Sequence, residues 1–157
     1  MSPEFSDQTK KKIEKILSHY PKKVAALLPV LHLAQREFGS ISPAEEKLVA
    51  ALLEIKPIQV REAVTFYSLL NRQPLGQYHI QVCSNLSCTL LGAEGLIDHL
   101  KQKLGIEPGQ TTPDKKFTLT TVECLGACEE APAMMINFDY HGNLDEKKID
   151  DILAKLK

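Results

Sequence analysis

The sequence predicts an α+β (or α/β) chain in two parts, a helical N-terminal part followed by a small α/β sandwich. Two observations carry this. Through the first seventy residues the apolar positions recur three and four apart and never alternate, which is the period of amphipathic helices. At Arg72-Gln73-Pro74-Leu75-Gly76 turn residues cluster and the period falls to two, which divides the chain into residues 1–73 and 74–157.

The elements follow in order. Ile13, Ile16, Leu17 and Tyr20 after a polar Ser6-Asp7-Gln8 start predict a first helix ending before Pro21. Val24, Leu27, Leu28, Leu31 and Phe38 form a second stripe that Pro29 either kinks or begins, with Gly39 as its stop. Ser42-Pro43-Ala44-Glu45 is a capping box with proline at the first helical position, where the missing N–H costs nothing. Leu48, Ala51, Leu52 and Ile55 supply the face behind it, and Val60, Val64, Tyr67 and Leu70 mark one more helix after Pro57. In the second part Tyr78, Ile80 and Val82 alternate with Gln77, His79 and Gln81, a half-buried strand ending at Cys83. A helix from about Gly92 to Leu104 is capped by Gly105, and a polar loop spans Glu107 to Lys116. Phe117–Val122 is a second strand, Met134–Asn137 and Tyr140 suggest a hairpin, and Asp145 caps a last helix with Ile149, Ile152, Leu153 and Leu156 on one face. The order is β-α-β-β-α.

Composition excludes several function classes. With 157 residues, 43% hydrophobic and 25% charged, the chain is long enough for a buried core and has globular proportions. Nineteen Lys and Arg against 20 Asp and Glu leave a net charge of -1, with no field to gather nucleic acid or anionic lipid. No apolar run is long enough to span a bilayer, and MSPEFSDQTKKKIEKI lacks the apolar region of a signal peptide. The expectation is a cytosolic protein without direct membrane insertion. In that compartment four cysteines point to metal or redox chemistry rather than structural disulfides.

The cysteines occur as Cys83-x4-Cys88 and Cys124-x3-Cys128, separated by 35 residues, each pair directly after a predicted strand. Ligands leaving the ends of two neighbouring strands converge, and four thiolates suit a [2Fe-2S] cluster or an all-cysteine zinc site. The wide C-x4-C loop favours iron, with structural zinc as the competing metal. Buried structural thiols and two disulfides explain the spacing less well, and no C-x-x-C supports a dithiol. No Lys or Arg occurs between Arg72 and Lys101 or from Phe117 to Glu146, while Glu123, Glu129 and Glu130 flank the cysteines. Leu86, Leu90, Leu91, Leu125 and Ala131 are expected to form an apolar sheath, and Ser84, Asn85, Ser87 and Gly126 to donate hydrogen bonds to sulfur.

With Val82-Cys83-Ser84-Asn85-Leu86-Ser87-Cys88 and Val122-Glu123-Cys124-Leu125-Gly126-Ala127-Cys128-Glu129-Glu130-Ala131-Pro132 in view, the chain resembles the 24-kDa-type [2Fe-2S] subunits of respiratory complex I, the E-type subunits of bacterial NADH-quinone oxidoreductases. Tyr20-Pro21, Ala34-Gln35, Thr65-Phe66-Tyr67, Pro74-Leu75-Gly76 and Met135-Ile136-Asn137 fit the same family in order and spacing, so the resemblance covers nearly the whole chain. Val64 departs from the alanine often found before Thr-Phe-Tyr, a difference without bearing on the metal. The resemblance implies an N-terminal helical bundle that docks a partner, a thioredoxin-like domain with a mixed sheet, and one [2Fe-2S] cluster held by Cys83, Cys88, Cys124 and Cys128. It further implies an electron-transfer subunit that exchanges single electrons with FMN in a partner NADH-binding subunit, beside other peripheral-arm subunits, on the inner face of the cell membrane.

No G-x-G-x-x-G and no Walker motif is present, so FMN and NADH are expected in the partner only. Related readings are the equivalent diaphorase subunit of an NAD-linked hydrogenase or formate dehydrogenase and, in a different class, a structural zinc interaction module with four cysteine ligands. His79 is expected on the polar face of its strand. His19, His32 and His99 on predicted helices and His141 near a turn show no paired ligand spacing. Six lysines among the first 23 residues against Glu4, Asp7 and Glu14 read as a solvated helix face.

Overall fold

A computed structural model describes residues 3–156. The chain divides into two compact units, the division falling between Pro74 and Leu75.

The first unit is helical. Helix α1 (Asp7–Leu17) is capped by Ser6, whose hydroxyl accepts the Thr9 N–H, and a 3-10 turn (Lys23–Ala26) leads into α2 (Leu27–Phe38). Pro29 sits in the first turn of α2, where no intrahelical donor is lost, so it starts the helix rather than kinking it. Helix α3 (Pro43–Leu53) opens on the expected capping box, with Glu45 accepting the Ser42 N–H at 2.8 Å. Its buried row is Glu46, Val49, Ala50 and Leu53, while the predicted Leu48, Leu52 and Ile55 are partly buried against the same core and Ala51 is exposed. This helix is apolar on both sides, and Arg61 of α4 (Pro57–Phe66) pairs with the buried Glu46 carboxylate at 2.9 Å.

Helix α4 stops at Phe66, short of the predicted Tyr67 and Leu70. The Thr65 hydroxyl donates back to the carbonyls of Arg61 and Glu62, and β-branched and aromatic residues are weak helix formers. Leu70 is nonetheless buried. The Gln35 side chain clamps the segment around it, donating to the Leu69 carbonyl at 2.7 Å and accepting the Asn71 N–H at 2.6 Å. His19 and Tyr20 lie beyond the end of α1.

The second unit contains a five-stranded mixed sheet in the order β2-β3-β1-β4-β5, with β1 (Tyr78–Cys83), β2 (Gln110–Thr111), β3 (Phe117–Val122), β4 (Met134–Ile136) and β5 (Asp139–His141). Strands β1 and β3 are parallel, Tyr78 opposite Phe117 and Cys83 opposite Val122; the other pairs are antiparallel. Parallel neighbours need a crossover, and α5 (Leu86–Leu90) and α6 (Ala93–Leu104) supply it. Helix α5 and the short β2 lie within segments without a predicted element. Helix α7 (Glu146–Lys155) starts at Asp145, whose carboxylate accepts the Lys148 N–H at 2.7 Å. Asp150 of α7 binds His99 at 2.8 Å and Lys103 at 2.7 Å, tying α7 to α6.

Ile80, Leu100, Leu119, Met134 and Ile149 are fully buried in one core cluster. Each is worth about 1.5–3 kcal/mol relative to exposure. Strand β1 is not half-buried as its alternation predicts. It is the central strand, and His79 and Gln81 are buried along with Ile80 and Val82. His79 is accommodated by a 2.8 Å hydrogen bond to the Thr120 hydroxyl on β3, and burial lowers its pKa, favouring the neutral ring.

Candidate metal centre

The parallel pairing of β1 and β3 aligns their C-terminal ends. Cys83 is the last residue of β1, and Cys124 follows two residues after β3 ends at Val122. The two loops are stitched together by the Ser84 N–H to the Val122 carbonyl at 2.9 Å. Strand β4, on the other side of β1, receives the chain that has just passed Cys128, and the Cys83 N–H donates to the Ala133 carbonyl at 3.1 Å. Helix α5, capped by the Asn85 side chain on the Leu86 N–H at 2.8 Å, carries Cys88. Strand order thus delivers both cysteine pairs to one end of the sheet.

The Cys83 sulfur lies 3.9 Å from the carbonyl oxygen of Glu123, the residue before Cys124, and the thiols of Cys88 and Cys124 act on its titration. All four cysteines are free; Cys83 and Cys88 are buried, Cys124 and Cys128 exposed. Burial pushes the Cys83 thiol up, but N–H donation from Asn85 and Leu125 and the neighbouring thiols outweigh it, so its pKa falls below the ordinary thiol value. Cys88 goes the other way. Burial, the hydrogen bond with Cys83 and the nearby Cys83 and Cys128 charges raise it despite the Ala133 N–H. Thiolates crowded together repel, and a cation between them relieves that repulsion.

Among the described residues no three His, Cys, Asp or Glu side chains surround a single ion's position. A two-iron cluster asks instead for two thiolates at each iron, and two cysteine pairs are what the loops bring together. Backbone donors complete the fit: the Gly126 N–H points at the Cys124 sulfur at 3.3 Å, and the N–H groups of Asn85, Leu125 and Ala133 reach Cys83 or Cys88. Such donors stabilise a charged sulfur.

Several site expectations are revised. Gly126 donates to sulfur as predicted, and Asn85 does so through its backbone; its side chain caps α5, while the Ser84 hydroxyl binds the Val122 carbonyl. The donors at Leu125 and Ala133 have no signature in the sequence, because any residue type except proline supplies an N–H. The expected apolar sheath is incomplete. Leu125 and Ala131 pack around Cys83 and Cys88, but Leu86, Leu90 and Leu91 are 69%, 75% and 60% exposed, because the short α5 turns them outward when it buries Cys88. Glu123, Glu129 and Glu130 are exposed, as are His19 and His32; His99 is held by Asp150 and His141 lies at the end of β5.

Gly142 fixes the turn that bears Cys128. A Cβ there would run into the Glu130 side chain and stand 2.8 Å from the Glu130 carbonyl oxygen, which accepts the Asn143 N–H. Gly142→Ala therefore displaces residues 128–130 and is expected to lower the metal content of the purified protein at least severalfold while residues 3–74 keep their helical signal; unchanged metal content would free Cys128 from this constraint.

Residues 13–157 match the thioredoxin-like [2Fe-2S] ferredoxin family. An E-type NADH-quinone oxidoreductase subunit of Rhizobium meliloti is 45% identical, over 94% of this chain and 88% of its own length. Its counterpart in Aquifex aeolicus is 38% identical over 97% and 95%. Among solved structures, a chain of an NAD+-reducing [NiFe]-hydrogenase in the air-oxidised state superposes with a TM-score of 0.73 at 25% identity, over 83% of this chain and 22% of that one. With two cysteine pairs gathered at one end of a mixed sheet and these relatives along its length, the chain belongs to the thioredoxin-like [2Fe-2S] ferredoxin family, and one [2Fe-2S] cluster is its cofactor.

Proposed function

We propose that the chain is the one-electron [2Fe-2S] subunit of an NADH-quinone oxidoreductase, with Cys83, Cys88, Cys124 and Cys128 as the cluster ligands. The observation that carries this is the delivery of both cysteine pairs to one end of the sheet by the parallel β1–β3 pair, in a chain matched over nearly its whole length by NADH-quinone oxidoreductase subunits. When bound, the cluster accepts and returns one electron. The chain's own residues hold it: the parallel β1–β3 pair sets the two loops side by side, and the four backbone N–H groups favour thiolate sulfur.

The partner in this reading is an NADH-oxidising subunit carrying FMN, since this sequence has no nucleotide fingerprint. Residues 1–73 serve as a docking element for that partner, and residues 74–157 carry the cluster. The complex is peripheral, on the cytoplasmic face of the cell membrane; no helix among the described residues is long and apolar enough to cross a membrane. The likeness to the NAD+-reducing hydrogenase supports a second reading, the equivalent diaphorase subunit of such an enzyme.

The test is reduction by NADH. The purified chain is expected to keep its visible absorption with NADH alone and to bleach on adding the flavoprotein subunit of the same complex. Bleaching without the flavoprotein, or none with it, contradicts the reading; which flavoprotein supports bleaching separates the quinone-linked enzyme from the hydrogenase.

A further inference from the structure

Four backbone N–H groups reach cysteine sulfur in the second unit, those of Asn85, Leu125, Gly126 and Ala133. Gly126 differs from the other three in its backbone: it sits at φ +72°, in the left-handed region, and they do not. In that conformation its N–H points at the Cys124 sulfur, two residues earlier in the chain, at 3.3 Å. Space does not exclude a side chain, because a Cβ built on Gly126 meets nothing within 4 Å. What glycine supplies here is the conformation, which residues with a Cβ rarely adopt. Cys124 is exposed and the stretch 117–146 has no Lys or Arg. Within this loop, charge at the Cys124 sulfur is therefore met by a backbone dipole and not by a cation.

We propose that Gly126 is a positioning residue for electron transfer: its left-handed backbone aims one N–H at Cys124 and thereby raises the reduction potential of the cluster. The inference rests on Cys124 being a ligand, as proposed above. Reduction adds one electron, and so one negative charge, without making or breaking a bond, and hydrogen bonds to the sulfurs help to set its potential. A donor at sulfur stabilises the more negative state more than the less negative one. Losing that donor makes the electron harder to accept.

The experiment compares full-length wild type, Gly126→Ala and Gly126→Asn, each with its cluster, in redox titrations followed by electron paramagnetic resonance. Alanine adds one methyl group in open space yet disfavours a positive φ, whereas asparagine enters the left-handed region more readily. In Gly126→Ala the equilibrium constant for accepting the electron is expected to fall about tenfold, a midpoint lower by about 59 mV for one electron. Iron and sulfide content should not change. Gly126→Asn is expected to stay within about twofold of wild type, because its backbone keeps the same conformation. An unchanged or raised potential in Gly126→Ala overturns the proposal. So does an equal fall in both variants, which assigns the effect to the added side chain. Should Gly126→Ala fail to retain its cluster, pulsed resonance of reduced protein, isotope-labelled at glycine nitrogen, decides: a labelled-nitrogen coupling in wild type that is lost in Gly126→Asn supports the proposal, and no such coupling in wild type overturns it. Wild-type protein with zinc and no iron takes down the functional reading too, whereas an intact cluster whose potential ignores Gly126→Ala refutes this inference alone.

Discussion

Cys124→Ala and Cys128→Ala are each expected to strip the visible absorption from the purified protein and to loosen residues 75–156, leaving the helical unit folded. These two thiols are exposed, so removing either sulfur opens no cavity and costs little packing. A loss of structure in either variant therefore reports lost ligation, because metal binding and folding free energy are shared. Cys83 and Cys88 are buried in a small cluster with Ala93, Ala131 and Ala133, so their alanine variants mix ligation with packing and are poorer probes. Absorption with iron and sulfide content gives the first readout, hydrogen exchange resolved along the chain the second. Wild-type absorption in Cys124→Ala or Cys128→Ala would remove that residue from the ligand set.

In the first unit the largest effect is expected at Arg61. Its guanidinium holds the Glu46 carboxylate, through Nε at 3.0 Å and Nη2 at 2.9 Å, while the Glu46 side chain is only 3% exposed and its Oε1 has no hydrogen-bond partner. Arg61→Ala leaves that charge buried and alone. Breaking a fully buried pair costs about 3–5 kcal/mol; the Arg61 side chain is 43% exposed, so water screens part of the interaction and about 2 kcal/mol is expected. Glu46→Leu combined with Arg61→Met should recover most of it, because two apolar side chains leave nothing unpaired. Denaturant unfolding of wild type, Glu46→Leu, Arg61→Met and the double variant, as a double-mutant cycle, measures the coupling. Equal stability of wild type and Arg61→Ala would show that the α3 face is chosen by packing alone.

The helix starts were legible because capping is local. Ser6, Ser42 and Asp145 each accept an N–H from within three residues, and a short sequence window contains both partners. Sides and depths were less legible. The buried Glu46 of α3 has its partner in Arg61, fifteen positions beyond it, and the burial of His79 depends on β3 and β4 arriving on both flanks of β1. A central strand with polar residues facing a neighbour's hydroxyl looks, in sequence, like an edge strand facing water. The cysteine spacing pointed to this end of the sheet because each pair directly follows a strand end, and the structure makes those ends adjacent. The outward turn of the α5 leucines was hidden, since five residues are too few for a helical period to show in a sequence.

The central claim is that these four thiols hold two irons bridged by sulfide. Protein prepared without oxygen should contain about two irons and two acid-labile sulfides per chain, be red-brown, and give an electron paramagnetic resonance signal only after reduction. One zinc per chain with no iron or sulfide, in colourless protein prepared the same way, would contradict it.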